Sequence, residues 1–174
     1  MDQRSALEES LTSFLQGHGA HLHPNVAITQ GKSSSGFHWR ATRGAIEPGD
    51  TIISVPHSVA LSYLNALVDE DWPFKKHRQS FNPDFEVETI SFFYLMIQYN
   101  NPQSFWRPYL DALPAPEQYH TQPLFFEHED DVKWLEGTDV WHTNQNRLEK
   151  YRAMYDNGLS VLQSAGCNVS WCTW

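Results

Sequence analysis

Apolar and polar residues alternate with helical spacing at the start of the chain. Four apolar residues fall at positions i, i+4, i+7 and i+8 of one stretch: Leu7, Leu11, Phe14 and Leu15. This spacing predicts an amphipathic helix over residues 2–17. Asp2 is the candidate N-cap, and Gly17 and Gly19 provide the expected stop.

The pattern then changes to short segments typical of β-strands. Residues 25–30, 37–42 and 51–55 combine β-branched and aromatic residues with flanking turn residues. Pro48 and Gly49 fit the favoured positions of a turn between the last two segments. We therefore expect a small β unit of about three strands.

After Pro56 the apolar spacing becomes helical and stays so. The predicted helices cover residues 59–68, 86–100, 109–113, 130–135 and 138–163. Residues 69–85 form a polar connection marked by prolines. Residues 86–100 are apolar around most of the helix circumference, which predicts a buried central helix. The predicted fold class is α+β, with a helix at 1–20, a β part at 21–56 and a largely helical part at 57–174.

Composition narrows the classes of function. A chain of 174 residues with 40% hydrophobic content suffices for one core, and its net charge of −9 argues against a nucleic-acid partner. No apolar run is long enough to span a bilayer, and the first residues lack a signal-peptide pattern, so we expect a cytoplasmic or nuclear protein without a membrane partner. Cys167 and Cys172 are expected to be reduced thiols.

Three clusters allow a functional and a structural interpretation. His18, His21 and His23 could bind a metal, but no further ligands follow at an ordered spacing, so exposed loop histidines are favoured and no metal site is assigned. An acidic run could attract a basic substrate or form a solvated face: Glu127, Glu129, Asp130 and Asp131. An aromatic stripe is expected to lie in the core: Phe92, Phe93, Tyr94 and Tyr99. Trp106 and Tyr109 are expected to anchor local packing.

The segment from Gly36 to Pro56 carries a resemblance to a known family. Its sequence, Gly-Phe-His-Trp-Arg-Ala-Thr-Arg-Gly-Ala-Ile-Glu-Pro-Gly-Asp-Thr-Ile-Ile-Ser-Val-Pro, is similar to the opening of a SET domain. Ser104-Phe-Trp-Arg-Pro-Tyr-Leu-Asp-Ala-Leu-Pro114 and Val132-Lys-Trp-Leu-Glu-Gly-Thr138 follow in the family's order. They resemble the helical insertion of the branch that contains Rubisco large-subunit, ribosomal-protein lysine and actin-histidine methyltransferases.

The resemblance implies a binding site for S-adenosylmethionine. In the family the strand entrance lies against this cofactor, and the matching residues here are Ser35, Gly36, Phe37 and His38. Gly36 lacks a Cβ and would let a ligand approach the main chain. Arg4 matches an arginine that faces the cofactor's carboxylate. The family's second glycine is His38 here and its leucine is Trp39, and either side chain could narrow the groove.

The resemblance also implies a protein substrate with an accessible lysine, such as a ribosomal or other basic protein. The family's Asn-His pair and late tyrosine have no counterpart in this sequence, so no catalytic residue is assigned. Unpaired strand edges and the aromatic ends Trp171 and Trp174 lead us to expect the front part of a larger SET fold, inactive by itself. The alternative is a non-catalytic interaction module derived from a SET protein.

Overall fold

The computed structural model describes residues 3–30, 37–70, 72, 74–84, 86–114, 124, 126 and 128–174, with the backbone alone for 3–5 and 30. Two compact units emerge. The first comprises Met1–Leu61 and Gln98–Pro114, and the second comprises Ser62–Ile97 and Ala115–Trp174. The chain mixes helices with a few short strands, which confirms the α+β class. The domain bounds inferred from sequence stay a prediction.

The first unit begins with helix α1, Gln3–Gly17. Leu11 and Leu15 are buried along one side of it, as the apolar spacing predicts. The helix ends in a Schellman motif, in which the Ala20 N–H donates to the Leu15 carbonyl at 2.9 Å and the Gly19 N–H donates to the Gln16 carbonyl at 3.1 Å. Gly19 has φ +87°, a conformation that a residue with a Cβ adopts only at a cost.

The strands of the first unit pair differently from the sequence-based expectation. Strand β1, His21–Leu22, pairs antiparallel with β4, Ile53–Ser54, and β2, Val26–Gln30, pairs antiparallel with β3, Phe37–Ala41. The predicted strands at 37–42 and 51–55 are therefore not hairpin partners. The predicted turn does form, because the Asp50 N–H donates to the Glu47 carbonyl at 3.1 Å. Period-two spacing marks a strand but does not select its partner.

Helix α5, Arg107–Leu110, lies against α1 in the first unit. Phe14 contacts Phe105 and Trp106 with ring centroids 5.2 and 6.4 Å away. Trp106 is 4% exposed, in line with its expected anchoring role, whereas Tyr109 is 39% exposed and is not a buried anchor.

The second unit is helical in the residues that the structure describes. Its helices are α2 Tyr63–Val68, α3 Phe74–His77, α4 Glu86–Asn100 (through Ile97), α6 Glu129–Lys133 and α7 Asp139–Ser164. The helix predicted at 59–68 is divided into a 3₁₀ turn, His57–Val59, and α2. Residues 69–85, predicted as a connection, contain α3 and a second 3₁₀ turn, Arg78–Ser80. Short helices escape sequence analysis because they offer less than two turns of periodicity.

The prediction of a buried central helix applies to one face of α4. Its inward face is covered, with Ile90, Phe93 and Tyr94 at most 3% exposed, but Phe92 is 43% and Tyr99 44% exposed. Half of the aromatic stripe therefore lies in the core and half on the surface. Phe92 still contacts Tyr151 with ring centroids 5.8 Å apart, and a partly exposed apolar side chain is common on protein surfaces.

Helix α7 packs on α4 through a glycine. A Cβ built on Gly158 would collide with the ring of Phe93, and Phe93 in turn stacks on Tyr155 at 6.2 Å. Met154 and Leu162 complete the buried stripe, whereas Leu148 in the same helix is 36% exposed. Among the described residues no helix is long and apolar enough to cross a bilayer.

Candidate functional site

Two hollows border the β2–β3 sheet of the first unit. Helix α1 contacts β2, and Ile28, which is 6% exposed, lines both hollows. One hollow is an apolar cavity of about 270 Å³ beside β3. The other is a polar cleft of about 580 Å³ beside β2.

The apolar cavity contains the described part of the predicted cofactor strand. Phe37, His38 and Trp39 line it consecutively. The rest of its wall comes from α1, β2, β4 and the flanking segments: Leu11, Phe14, Leu15, Ile28, Ile53, Val55, Val59 and Tyr109. Sequence analysis did not place these residues around the strand. The apolar stripe of α1 was the signal that could have suggested it, since that stripe needs a neighbour.

The predicted site residues are only partly brought together. Phe37 is half-buried and His38 is exposed at the beginning of β3. Ser35 and Gly36 lie outside the described residues. Arg4 lies in α1, but its side chain is outside the description as well. The structure thus places two of the five predicted residues at a cavity.

The cavity wall fits one part of S-adenosylmethionine better than the other. Its surfaces are apolar and aromatic apart from His38 and Tyr109, which suits a planar adenine ring by stacking and burial. The methionine end of the cofactor carries an ammonium and a carboxylate, and such charges need paired partners when they leave water. No described residue of the cavity wall carries a fixed charge.

An aromatic cluster holds one side of this cavity in place. The His18 ring lies 4.8 Å from Phe14 and 5.0 Å from Phe105, and its Nδ1 is 2.7 Å from the Phe14 carbonyl. The Ser104 hydroxyl donates to Gln98 Oε1 at 2.6 Å and accepts from the Trp106 N–H at 3.1 Å. These contacts fix the segment that presents Tyr109 to the cavity.

The polar cleft has a different chemistry. Its helical wall is a polar stripe of α1, formed by Glu8, Glu9, Thr12, Ser13 and Gln16. The opposite wall comprises Leu22, His23, Pro24, Val26, Ala27, Ile28 and Arg43. Among the described residues that line the cleft, Glu8, Glu9 and Arg43 carry fixed charges, so this described lining is net acidic.

His23 is not the exposed loop residue expected from the sequence. Its side chain is 15% exposed, its Nδ1 accepts from the Asn25 N–H at 3.1 Å, and its Nε2 lies 3.5 Å from Asp50 Oδ2. The Asn25 side chain donates to the Ala45 carbonyl at 2.8 Å. These bonds attach the loop at 42–50 to the start of β2. In the described residues no group of three or more His, Cys, Asp or Glu is placed to hold a metal ion.

The acidic run is exposed. Glu129, Asp130 and Asp131 form the first turn of α6, and Asp130 pairs with Lys133 at 3.1 Å. Glu127 lies outside the described residues. Acidic side chains at a helix N-terminus complement the helix dipole, so the local structure explains the run without a ligand.

Tyr63, Cys167 and Cys172 of the second unit have shifted pKa values. Burial, followed by a hydrogen bond to Glu86, raises the pKa of Tyr63. Burial also raises the pKa of the Cys167 and Cys172 thiols. Raised thiol pKa values lower the thiolate fraction and describe unreactive cysteines.

Comparison with known proteins relates this chain to a class of enzymes, the protein methyltransferases. No model of a known protein family matches the sequence. Proteins named actin-histidine N-methyltransferase do match it. Those of Papio anubis and Homo sapiens are 40% and 39% identical over 124 residues, which are 69% of this chain and 20% of each relative. That of Gallus gallus is 40% identical over 67 residues, 36% of this chain and 11% of the relative.

The chain spans about a fifth of the length of the curated relatives it matches. The similarity agrees with the methyltransferase relationship inferred from the sequence. It does not single out a Rubisco-type or lysine-specific subfamily, since the relatives are named for histidine.

Proposed function

We propose that this chain is the cofactor-side portion of a SET-type protein methyltransferase that uses S-adenosylmethionine. The proposal rests on two independent observations that concern the same strand, β3. The segment beginning at Gly36 resembles a SET opening, and its described residues Phe37, His38 and Trp39 line a cavity. The names of the relatives support methyl transfer to a protein.

The cofactor would supply an electrophilic methyl group, and the protein would gain rate by positioning it. Phe37 and Trp39 would cover the adenine with aromatic surface. Ser35 and Gly36 would present backbone groups, and the Arg4 guanidinium would pair with the carboxylate that the apolar cavity wall does not satisfy.

The proposal also concerns which side chain of the substrate protein is methylated. The sequence resemblance alone implied a lysine, as in ribosomal-protein methyltransferases, whereas the relatives are named for histidine in actin. Histidine is therefore the target we favour and lysine in a basic protein is the alternative. We further propose that this chain does not turn over by itself, because it contains no residue to which a catalytic role can be assigned.

A chimera tests the function. This chain would replace the segment that it matches in the Homo sapiens actin-histidine N-methyltransferase. Methyl transfer from labelled S-adenosylmethionine would then be measured on actin and on a lysine-rich ribosomal protein. We expect labelled actin from the chimera and none from this chain alone. A chimera that folds by circular dichroism and binds no cofactor would contradict the proposal, and turnover by this chain alone would contradict its inactivity.

The cofactor edge is tested in the same chimera with Gly36→Val. A branched side chain there should displace the ligand and weaken cofactor binding by more than about tenfold, or roughly 1.4 kcal/mol. The matched control is Gly17→Val, since a Cβ at Gly17 meets nothing within 4 Å. Calorimetry would measure affinity and melting temperature on one sample. Lower stability with unchanged affinity per folded molecule would remove this strand from the cofactor site.

A further inference from the structure

The polar cleft runs along a strand edge that has no strand partner. In the described residues β2 pairs with β3 alone. The cleft is lined by three consecutive residues of β2, Val26, Ala27 and Ile28. Consecutive side chains of a strand point to opposite faces, so a cleft that touches all three must follow the backbone edge.

The ladder geometry shows which backbone groups face the cleft. The Thr42 N–H donates to the Asn25 carbonyl at 2.9 Å, one step beyond the Val26–Ala41 pair. Hydrogen-bonded pairs alternate along an antiparallel ladder, so Ala27 and Thr29 direct their backbone groups to β3. Ile28 and Gln30 consequently direct theirs away from β3, and Ile28 lines the cleft.

The opposite wall gives the cleft a chemical preference. Glu8 and Glu9 stand one helical turn before Thr12 and Ser13 on α1, and Gln16 follows on the same side. His23 already contacts Asp50, and among the described lining residues Arg43 carries the fixed positive charge. Carboxylates and hydroxyls facing a strand edge complement an extended segment that carries basic and hydroxyl side chains.

The dimensions suit such an occupant. The cleft follows the edge of β2 over residues 26–28, which is about 10 Å at roughly 3.3 Å per residue, and the strand continues to Gln30. The cleft volume of about 580 Å³ has room for a short extended peptide beside α1. Strand addition obtains affinity from main-chain hydrogen bonds and specificity from alternate side chains.

We propose that the cleft between α1 and β2 binds an extended basic peptide segment as a third strand on the free edge of β2. This role does not depend on methyl transfer, because the cleft lies beside β2 and not beside the predicted cofactor strand. The peptide's outward backbone groups pair with Ile28 and Gln30. Its basic side chains face the acidic turn of α1 at Glu9.

Amide hydrogen exchange on the full 174-residue chain tests the site. The probe is a synthetic peptide, acetyl-Lys-Thr-Lys-Val-Lys-Thr-amide, added to saturation. The Ile28 amide should exchange at least about tenfold more slowly with the peptide, because it gains a hydrogen bond. The Ala27 and Thr29 amides, already directed to β3, should change little and serve as internal controls. Unchanged exchange at Ile28 would overturn the proposal.

Two further comparisons separate strand addition from charge attraction. N-methylation of the peptide residues whose amides face β2 should abolish binding, whereas N-methylation of the residues between them should not. Equal binding of the two methylated peptides would overturn the strand register. Glu9→Arg should weaken binding about fivefold, as expected for a partly exposed ion pair. Glu47→Arg makes the same charge change at an exposed residue outside the cleft and should have little effect. If both variants weaken binding equally, the acidic wall is not the recognition element.

A second copy of the chain is the competing occupant. Slow Ile28 exchange that requires no peptide and disappears on dilution would show strand pairing between copies, and it would overturn the peptide proposal.

Discussion

The two units of this chain differ in how they use their apolar residues. In the second unit, Phe74 and Ile90 have no exposed surface and form a closed core, although Trp134 and Val68 lie on its surface. The first unit builds its walls from residues that remain partly open, such as Trp39 at 41% and Val55 at 39% exposure. Both units bury core residues, as Leu110 at 1% exposure shows for the first unit, but the residues around the sheet of the first unit stay partly open.

The difference follows from the geometry of small sheets. A two-stranded sheet buries one face at best and leaves two edges, so the helix that packs on it, α1, leaves hollows on both sides. Helices in the second unit satisfy their own backbone and meet side by side, as at the Gly158–Phe93 contact. The first unit therefore carries the candidate sites.

The largest expected effect is a core truncation in the second unit. Phe74→Ala should lower the free energy of unfolding by about 3–5 kcal/mol, because the buried ring contacts Phe81 and Tyr94 and leaves a cavity. Leu15→Ala, beside the existing cavity of the first unit, should cost about 2 kcal/mol. Urea unfolding followed by hydrogen exchange in each unit measures both. Equal losses in the free energy of unfolding for the two variants would mean that the two cores are equally closed.

A close helix contact gives the next effect. Gly158→Ala should cost about 1–3 kcal/mol, because the added methyl collides with the Phe93 ring. Gly17→Ala is the control in the first unit, where nothing lies within 4 Å. In a Phe93→Leu background the penalty of Gly158→Ala should shrink, which a double-mutant cycle detects. If Gly158→Ala costs as much stability in the Phe93→Leu background, the strain does not come from contact with the Phe93 ring.

A polar cluster in the second unit gives a smaller, pH-dependent effect. The Tyr63 hydroxyl donates to Glu86 at 3.1 Å, and Arg78 lies over the Tyr63 ring at 5.5 Å. Tyr63→Phe should cost about 1 kcal/mol at neutral pH. Burial raises the pKa of Tyr63. The contribution of the Tyr63 hydroxyl to the free energy of unfolding is therefore complete below the ordinary tyrosine pKa, and it is lost as pH rises through the pKa of the folded state.

Thermal unfolding between neutral and strongly alkaline pH checks this sign. The Tyr63→Phe protein should lose less stability on the alkaline side than the parent chain. A steeper alkaline loss in the variant would contradict the raised pKa.

The smallest effect concerns thiol reactivity. Cys172 is 6% exposed and Cys167 is half-buried, and burial raises the pKa of both thiols. We expect both to react with Ellman's reagent more slowly than free cysteine at mildly alkaline pH, with Cys172 the slower. Cys167→Ser and Cys172→Ser separate the two rates. A fast Cys172 would show that the chain end at Trp171–Trp174 opens readily.

Sequence patterns of sufficient length predicted their elements well. The helices at α1 and α7 were expected within two residues of their bounds, because several turns repeat the same apolar spacing. Thr138 caps α7 by accepting from the Trp141 N–H at 3.4 Å, and the sequence placed the helix start there. Phe37 and His38, selected through their resemblance to a known strand entrance, line the apolar cavity, and their role in cofactor binding stays a prediction.

The tertiary structure decided what local spacing does not encode. It decided that β3 pairs with β2 and β4 with β1, because strand pairing depends on residues far apart in the chain. It left Phe92 partly exposed at the edge of the contact with Tyr151, while Phe93 is buried against α7. It also placed the polar stripe of α1 beside the free edge of β2. The sequence by itself determined that such a stripe and such a strand exist, and packing alone determined that they face each other across a cleft.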